Sequence, residues 1–407
     1  MKKGICLLVL FAVIAAGCRK PYNPVILSSG AGYLVVEGVI NSGSDSTFIK
    51  LSRTVKLAGK TSAAPELNVV ITVEGDQKTS YPLTGNGKGT YSCAGLNLDN
   101  SHKYRLDIKT SDGKQYLSDF VEVVNSPPID SIYYDTKGSS TGPGLNIYAH
   151  THDAGNKIRY FRWDYQETWI IHPVFRSYFK SNGDTVVRRD GVDDDVYTCW
   201  LNDTSSTVVL GSTAKLAQSV INNNITTITS TSEKLGYEYS IIVRQYALTP
   251  DAYNFFVNLK KNTEQLGSIF DAQPSEIGGN IHSVSNPSEP VIGYISVGST
   301  SSQRIFITQR DISQPWVYTP FYSGCTIAID NSRNKPCCYY MLPIGPDLIN
   351  QVDQYINYNK DGGYADPLIP LNAIVNPGGP IIGYTATTTV CGDCTVRGSN
   401  KQPAFWQ

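Results

Sequence analysis

The chain has 407 residues with a formal net charge of −1 at pH 7, and charged residues make up 17% of it. Because no basic stripe is present to neutralise phosphates, we expect no nucleic-acid partner. Tyr is abundant at 26 and Met rare at 2, a profile typical of β-rich proteins outside the cytoplasm, whose strands favour Tyr, Thr, Val and Ile.

The N-terminus has the pattern of a lipoprotein signal peptide over residues 1–17. Met1-Lys2-Lys3 is cationic, Gly4 to Ala16 is apolar, and Cys18 stands where cleavage would fall. The apolar run is shorter than the roughly 20 residues that span a bilayer. We therefore predict lipid attachment at Cys18, a tether over residues 18–30 and a lipid anchor in a membrane outside the cytoplasm. An ordinary signal peptide is the alternative.

Residues 31–125 predict a first domain. Seven short β-type runs separated by turns match the strand count of an immunoglobulin-like sandwich. Tyr104 enters a strand six residues after Leu98, which predicts a tyrosine corner with a hydrogen bond back to the chain. Ser126-Pro127-Pro128 marks the boundary, because prolines favour an extended connector.

Residues 129–310 predict a second β-rich domain. Large aromatic residues alternate with more polar ones from Arg159 to Trp169, which indicates a central strand with one buried face. Residues 172–232 look irregular and are interpreted as an insertion. Val291–Val297 and Gln303–Thr308 suggest a β-hairpin.

A helix is predicted over residues 250–270. Thr249-Pro250-Asp251 combines a capping hydroxyl, a proline in the first turn and an acid at the positive end of the dipole. Residues spaced by three or four positions should form its buried face: Ala252, Phe256, Leu259, Thr263, Leu266 and Phe270.

Residues 311–407 form a cysteine-rich region with little regular pattern, interpreted as coil. In an oxidising compartment the default for cysteines is disulfides, and the candidates are Cys325, Cys337, Cys338, Cys391 and Cys394. Pairing of Cys325 with Cys337 or Cys338 is one guess. The alternatives for Cys391 and Cys394 are a four-thiolate zinc site shared with Cys337 and Cys338, and a redox pair. The predicted fold class is mainly β, with tandem immunoglobulin/fibronectin-like sandwiches, one prominent helix and a Cys-rich tail.

Several runs resemble a family of Bacteroidetes-type lipoproteins known only as a domain of unknown function. The runs are Leu34–Gly38, Arg244–Thr249, Ala252-Tyr253, Leu259–Asp271, Gln273–Ser275, Gly279–Ile281, Gly293-Tyr294, Arg304–Ile307, Cys391–Cys394 and Pro403–Trp406. The resemblance implies a lipoprotein anchored in the outer membrane, on the periplasmic face or the cell surface, and encoded near TonB-dependent receptors. It supplies no catalytic residues.

Other motifs give weaker signals for chemistry. His150 and His152 share one strand face, which permits a metal, although exposed histidines are the simpler interpretation. Ser212 and Lys215 have the serine–lysine spacing of penicillin-binding enzymes without its partner motifs. The acidic residues that could bind calcium are Asp190, Asp193, Asp194 and Asp195.

Together these observations predict a non-enzymatic protein without a cofactor. It would act as an accessory or binding partner of a TonB-dependent uptake receptor, with a glycan or peptide as a further ligand. The alternatives are a surface glycan-binding lipoprotein, which would use exposed aromatic residues, and a secreted hydrolase.

Overall fold

A computed structural model describes residues 32–55, 63–136, 144–182, 185–264, 278–312, 324–327, 340–341, 368–375 and 377–406. The predicted signal peptide, the predicted lipid site Cys18 and the predicted tether lie outside these residues. The fold is mainly β, as predicted. Within the described residues, no helix combines the length and apolar character needed to cross a membrane.

The strands, in chain order, are β1 (Leu34–Asn41), β2 (Thr47–Arg53), β3 (Ala64–Pro65), β4 (Val70–Gly75), β5 (Ser80–Gly85), β6 (Thr90–Cys93), β7 (Lys103–Lys109), β8 (Gln115–Ser118), β9 (Val121–Glu122), β10 (Ile129–Asp135), β11 (Gly144–His152), β12 (Tyr160–Ile171), β13 (Phe179–Ser181), β14 (Val186–Arg188), β15 (Cys199–Thr204), β16 (Val209–Ser212), β17 (Val220–Thr229), β18 (Glu238–Ala247), β19 (Ile281–Ser283), β20 (Val291–Ile292), β21 (Ser296–Gly298), β22 (Thr300–Thr308), β23 (Tyr340–Met341), β24 (Leu368–Val375) and β25 (Ile381–Thr388). The helices are α1 (Pro250–Glu264) and α2 (Thr389–Gly392).

The first region is a sheet that folds back on itself around one core. Its strand order is β19-β8-β7-β4-β5-β6-β2-β1-β20, so β5 joins the two halves by pairing with β4 on one side and β6 on the other. The two halves enclose aliphatic side chains such as Ile49, Ile71 and Leu106, which have no exposed surface. Each such burial stabilises the fold by about 1.5–3 kcal/mol.

The predicted tyrosine corner is present. Tyr104 is buried, its hydroxyl donates to the Asp99 carbonyl at 3.2 Å, and the Asp99 N–H donates to the hydroxyl oxygen at 3.0 Å. The corner therefore fixes the entry to β7.

The predicted hairpin near residues 291–308 is wrong. β20 and β21 pair in parallel with β1, whereas β22 pairs with β18 in the second region. The chain thus crosses between regions from Gly298 to Thr300, and strands assigned by the sequence to the second region lie in the first sheet. The exact domain boundaries stay a prediction.

A glycine directly after β20 permits that strand to lie close against β1. Gly293 has φ +148°, and a Cβ there would lie 2.2 Å from the carbonyl oxygen of Val36. A Cβ on Gly279 would lie 1.6 Å from the carbonyl oxygen of Gly293. Two of the runs that carry the family resemblance therefore meet here, because their backbones approach closely: Gly279–Ile281 and Gly293-Tyr294.

The second region packs two sheets. One is β15-β12-β18-β22 with β16 also on β12, and the other is β10-β11-β17. The alternation in β12 is confirmed, because Phe161, Trp163 and Trp169 are buried. The interpretation of residues 172–232 as an irregular insertion is wrong, because β15, β16 and β17 belong to these sheets.

Helix α1 begins as predicted, with the Ala252 N–H donating to Thr249 Oγ1 at 3.2 Å. Its buried residues are Ala252 and Phe255, so the predicted face is displaced, and Thr263 is exposed. The cause is the Phe255 ring, which packs 5.5 Å from the Tyr294 ring of the crossing segment. Residues 265–270 of the predicted helix lie outside the described residues.

The C-terminal region is not all coil, because β24 and β25 form an antiparallel pair. Disulfides are present, joining Cys199 to Cys394 and Cys325 to Cys391. The guess that Cys325 pairs with Cys337 or Cys338 is therefore wrong. Those two cysteines lie outside the described residues. Cys199 was not among the expected partners.

Candidate functional site

A cleft of about 610 Å³ lies at the junction of the two regions. One wall comes from β1, β2 and their connection, and the other from β12, β18 and β22. The charged and aromatic residues that line it are Glu37, Asp45, Phe48, Arg162, Asp164, Arg244 and Tyr246. Junctions between domains are favoured positions for ligand sites.

Gln245 fastens the two regions beside this cleft. Its side chain is fully buried. The Trp163 indole donates to Gln245 Oε1 at 2.9 Å, and Gln245 Nε2 donates to the carbonyl of Pro127 at 3.0 Å. Asn125, on the same connector, accepts from the Ser299 N–H at 2.8 Å. Both chain crossings between the regions are thus tied by amide side chains, that of Gln245 buried and that of Asn125 partly buried.

The second region contributes the basic wall. In β12 and β18 the residues between the buried positions point away from the core, and strand register places Arg162 opposite Tyr246 and Asp164 opposite Arg244. Arg244 Nη1 donates to Asp164 Oδ1 at 3.4 Å, while Arg162 Nη2 lies 4.0 Å from Asp164 Oδ2. Two guanidinium groups therefore share one carboxylate.

Arg162 is held by aromatic rings. Its guanidinium carbon lies 4.3 Å from the Tyr246 ring centroid and 4.7 Å from that of Phe256 on α1. Its Nε is buried without a hydrogen-bond partner among the described residues. The rings fix the guanidinium plane and leave the Nε–H donor unsatisfied, and an unsatisfied buried donor destabilises a fold.

Tyr246 stays protonated in this wall. Burial raises the pKa of Tyr246, and the neighbouring Asp164 carboxylate raises it further. At neutral pH the phenol is a neutral group beside the two guanidiniums, so it adds no negative charge.

The first region contributes an acidic and more exposed wall. Glu37 forms an ion pair with Lys50 at 3.1 Å, with both side chains more than half exposed. Asp45 is exposed in the turn before β2. Phe48 is 58% exposed at the rim. A large exposed aromatic side chain next to charged groups is common at binding sites.

The predicted histidine pair lies elsewhere. His152 Nδ1 lies 2.8 Å from an Asp130 oxygen, and His150 Nδ1 lies 3.4 Å from the same carboxylate. Asp153 instead accepts hydrogen bonds from the N–H groups of its own turn. Among the described residues, no set of three or more His, Cys, Asp or Glu is arranged to hold a metal ion.

The acidic loop holds other parts of the second region. Asp194 accepts from Lys180 Nζ at 2.5 Å, and the carbonyls of Asp193 and Asp195 accept from Asn400 Nδ2 at 2.9 and 3.0 Å. The Lys180 ammonium, acting with the Asp190 N–H, keeps the pKa of Asp194 below its ordinary value. These contacts fasten the C-terminal segment.

The remaining candidate residues from the sequence make contacts of a structural kind, namely a local hydrogen bond and disulfides. Ser212 and Lys215 are both exposed, and Ser212 Oγ accepts from the Ala214 N–H. Cys391 and Cys394 are each bonded to another cysteine. Neither sulfur is a free thiolate, so the zinc and redox alternatives do not describe this pair.

Sequence reasoning did not identify the cleft residues as a site. The available signal was polar residues on the outward positions of strands whose inward positions are apolar: Arg162, Asp164, Arg244 and Tyr246. Two of the resemblance runs, Leu34–Gly38 and Arg244–Thr249, converge on the cleft through Glu37, Gly38, Arg244 and Tyr246.

Comparisons with known proteins give a family without an established activity. The family profile described as "Domain of unknown function (DUF4249)" matches residues 19–304. No curated protein matches the chain. One solved structure, a DUF4785 family protein from Legionella pneumophila, is 11% identical with a TM-score of 0.19, and the match covers 53% of this chain and 52% of that one. The chain thus spans about half the length of that protein.

Proposed function

The chain belongs to the DUF4249 family of unknown function, and from this premise we propose that it is a non-enzymatic, lipid-anchored binding protein of the outer membrane. Its cleft would engage a ligand or partner for a TonB-dependent uptake receptor. The observation that carries the proposal is the cleft itself, where two of the family-like runs meet.

The N-terminal sequence pattern and the disulfides support the proposed location. The N-terminal pattern ends in Cys18, and two disulfides join distant parts of the chain. Disulfides persist in oxidising compartments such as the bacterial periplasm and cell surface. The receptor partnership rests on the family resemblance.

The first experiment places a photoreactive amino acid at Phe48, on the rim of the cleft, in the lipidated protein in its own outer membranes. A matched variant carries it at Val70, which is 63% exposed on β4 and outside the cleft lining. We expect a receptor-sized adduct from position 48 only, identified by mass spectrometry.

Equal adducts from both positions, or none from position 48, would contradict partner binding at the cleft. The anchor is checked separately with Cys18→Ala. This variant should lose the acyl mass and leave the membrane fraction. An unmodified thiol in the wild-type protein would remove the anchor from the proposal.

One observation favours the glycan-binding alternative. On the outer face of β10-β11-β17, the Tyr133 and Tyr148 rings stack at 5.3 Å, and Asn222 Nδ2 donates to the Tyr133 hydroxyl at 2.5 Å. Aromatic faces beside amide groups suit saccharides. A glycan array that detects binding by the wild type but not by Tyr133→Ala would support this alternative.

A further inference from the structure

We infer that the cleft binds short peptides with free termini, the terminal carboxylate lying against Arg162 and Arg244 and the terminal ammonium toward Asp45. This inference rests on the proposed function, because it names the ligand class of the same cleft.

The carboxylate position follows from unsatisfied donors. A guanidinium has five N–H donors in a planar fork. Among the described residues the two cleft guanidiniums make one hydrogen bond to protein, from Arg244 to Asp164, so most of their terminal Nη donors have no protein partner. Arginine forks pair with carboxylates in two parallel hydrogen bonds, so a carboxylate satisfies donors that the protein leaves open.

The local charge points to an anion at this wall. Arg304 lies on the same sheet, with Ile242 as its register partner. Its own burial lowers its pKa, and the positive charge of Arg244 lowers it further. On the wall that the second region contributes to the lining, Arg162 and Arg244 therefore face the one carboxylate of Asp164, which leaves this wall with a net charge of +1.

The opposite wall excludes a polyanion. Glu37 and Asp45 line it, and the Asp45 carboxylate is exposed and has no hydrogen-bond or ion-pair partner among the described residues. Counted over the whole lining, three carboxylates face two guanidiniums, a net charge of −1. A ligand with several negative groups would be repelled, whereas one with a single carboxylate and an ammonium group matches both walls.

The cleft volume of about 610 Å³ lies within the range of pockets for small ligands, roughly 300–1,000 Å³. That size suits a peptide of a few residues. The half-exposed Phe48 ring at the rim gives an apolar contact for a side chain.

The test uses isothermal titration of the mature full chain with its disulfides intact. The probes are tetra-alanine with free termini, the same peptide amidated at its C-terminus, the same peptide acetylated at its N-terminus, and a neutral tetrasaccharide. We expect the free peptide to bind, and C-terminal amidation to weaken binding by about tenfold or more, because a charge-assisted hydrogen-bonded pair is lost.

Arg244→Gln is the main variant, since this side chain is partly exposed and lies outside the core. It should weaken the binding of the free peptide by about tenfold and leave the binding of the amidated peptide unchanged. The control is Arg105→Gln in the first region, where an arginine also pairs with a carboxylate, Glu74, and lies over a ring, that of Phe120. This control should bind like the wild type.

Asp45→Asn tests the other end of the peptide. It should weaken the binding of the free peptide but not that of the acetylated peptide. Equal affinity for the free and amidated peptides, equal losses in Arg244→Gln and Arg105→Gln, or no binding of the free peptide would overturn the inference. Saccharide binding that Phe48→Ala abolishes would also overturn it, yet would keep the proposed function of the cleft.

Discussion

The two sandwich regions are stabilised in different ways. The first has an aliphatic core formed largely by strands that are neighbours in sequence, and its one described cysteine, Cys93, is free. The second has a disulfide that links Cys199 to Cys394 across 195 residues. Both regions contain a partly buried ion pair, Arg53 with Glu66 in the first and Lys234 with Glu167 in the second. Local patterning thus suffices for most of the first region, whereas the second depends on links between distant parts of the chain.

The C-terminal segment shows what those distant links achieve. Besides the disulfide, Arg397 forms a bidentate pair with Glu233 at 2.6 and 3.0 Å. The Trp406 indole donates to Glu238 at 3.2 Å, and Arg304 lies 3.6 Å from the Phe405 ring. The segment therefore covers the edge and outer face of the sheet that carries the basic wall of the cleft.

The largest expected effect comes from removing the long-range disulfide with Cys199→Ala and Cys394→Ala together. We expect the second region to lose about 4 kcal/mol, because the link constrains a long loop in the unfolded chain. Hydrogen exchange resolved by peptide measures this: protection should fall in β12, β15 and β18 and stay unchanged in β4 and β7.

Cys93→Ala is the matched control, a change at a free, partly buried thiol. It should cost less than about 1 kcal/mol. An equal loss of protection in both regions after removal of the disulfide would mean that the two regions unfold as one unit, and the contrast drawn above would fail.

A smaller effect is expected where the first region itself depends on a distant segment. Gly293→Ala places a Cβ 2.2 Å from the Val36 carbonyl at a positive φ, which should cost about 2 kcal/mol and loosen the pairing of β20 with β1. Denaturant unfolding measures it. Gly113→Ala, at φ +84° in open space, should cost about 1 kcal/mol because only the backbone is strained.

The features that sequence predicted correctly are encoded over a few neighbouring residues. The tyrosine corner needs Tyr104 and Asp99, five positions apart, and the cap of α1 needs Thr249 and Ala252. The alternation of β12 likewise reflects side chains that point to opposite faces of one strand. Each pattern has its physical cause within the segment that shows it.

The cleft and the disulfide partners could not be predicted in this way. Arg244 and Asp164 are 80 positions apart and meet only through the register of β12 and β18. The segment around Gly298 shows the same apolar alternation whichever sheet it joins, so the hairpin was a reasonable but wrong prediction. Several cysteines allow many pairings, and spacing alone does not select one.

The smallest expected effect is the pH dependence of stability that one carboxylate contributes in each region. In the second, burial of Asp153 favours its protonation, but N–H donors from Ile158, Lys157 and Gly155 outweigh that effect and lower its pKa below 3.8. In the first, the Thr110 hydroxyl donates to Asp112 at 2.5 Å and lowers the pKa of that carboxyl. A carboxyl with a lowered folded-state pKa contributes stability above its ordinary pKa and loses it as pH falls through the folded value.

Asp153→Asn should therefore cost less than about 1 kcal/mol at pH 7, because solvent reaches the turn. The difference in free energy of unfolding between this variant and the wild type should disappear below pH 3.8. Asp112→Asn should behave alike with a smaller difference, since a single hydroxyl, rather than three N–H groups, holds most of that charge. Urea unfolding at a series of pH values decides it, and a difference for Asp153→Asn that stays constant into acid would show that the carboxylate charge contributes nothing to this turn.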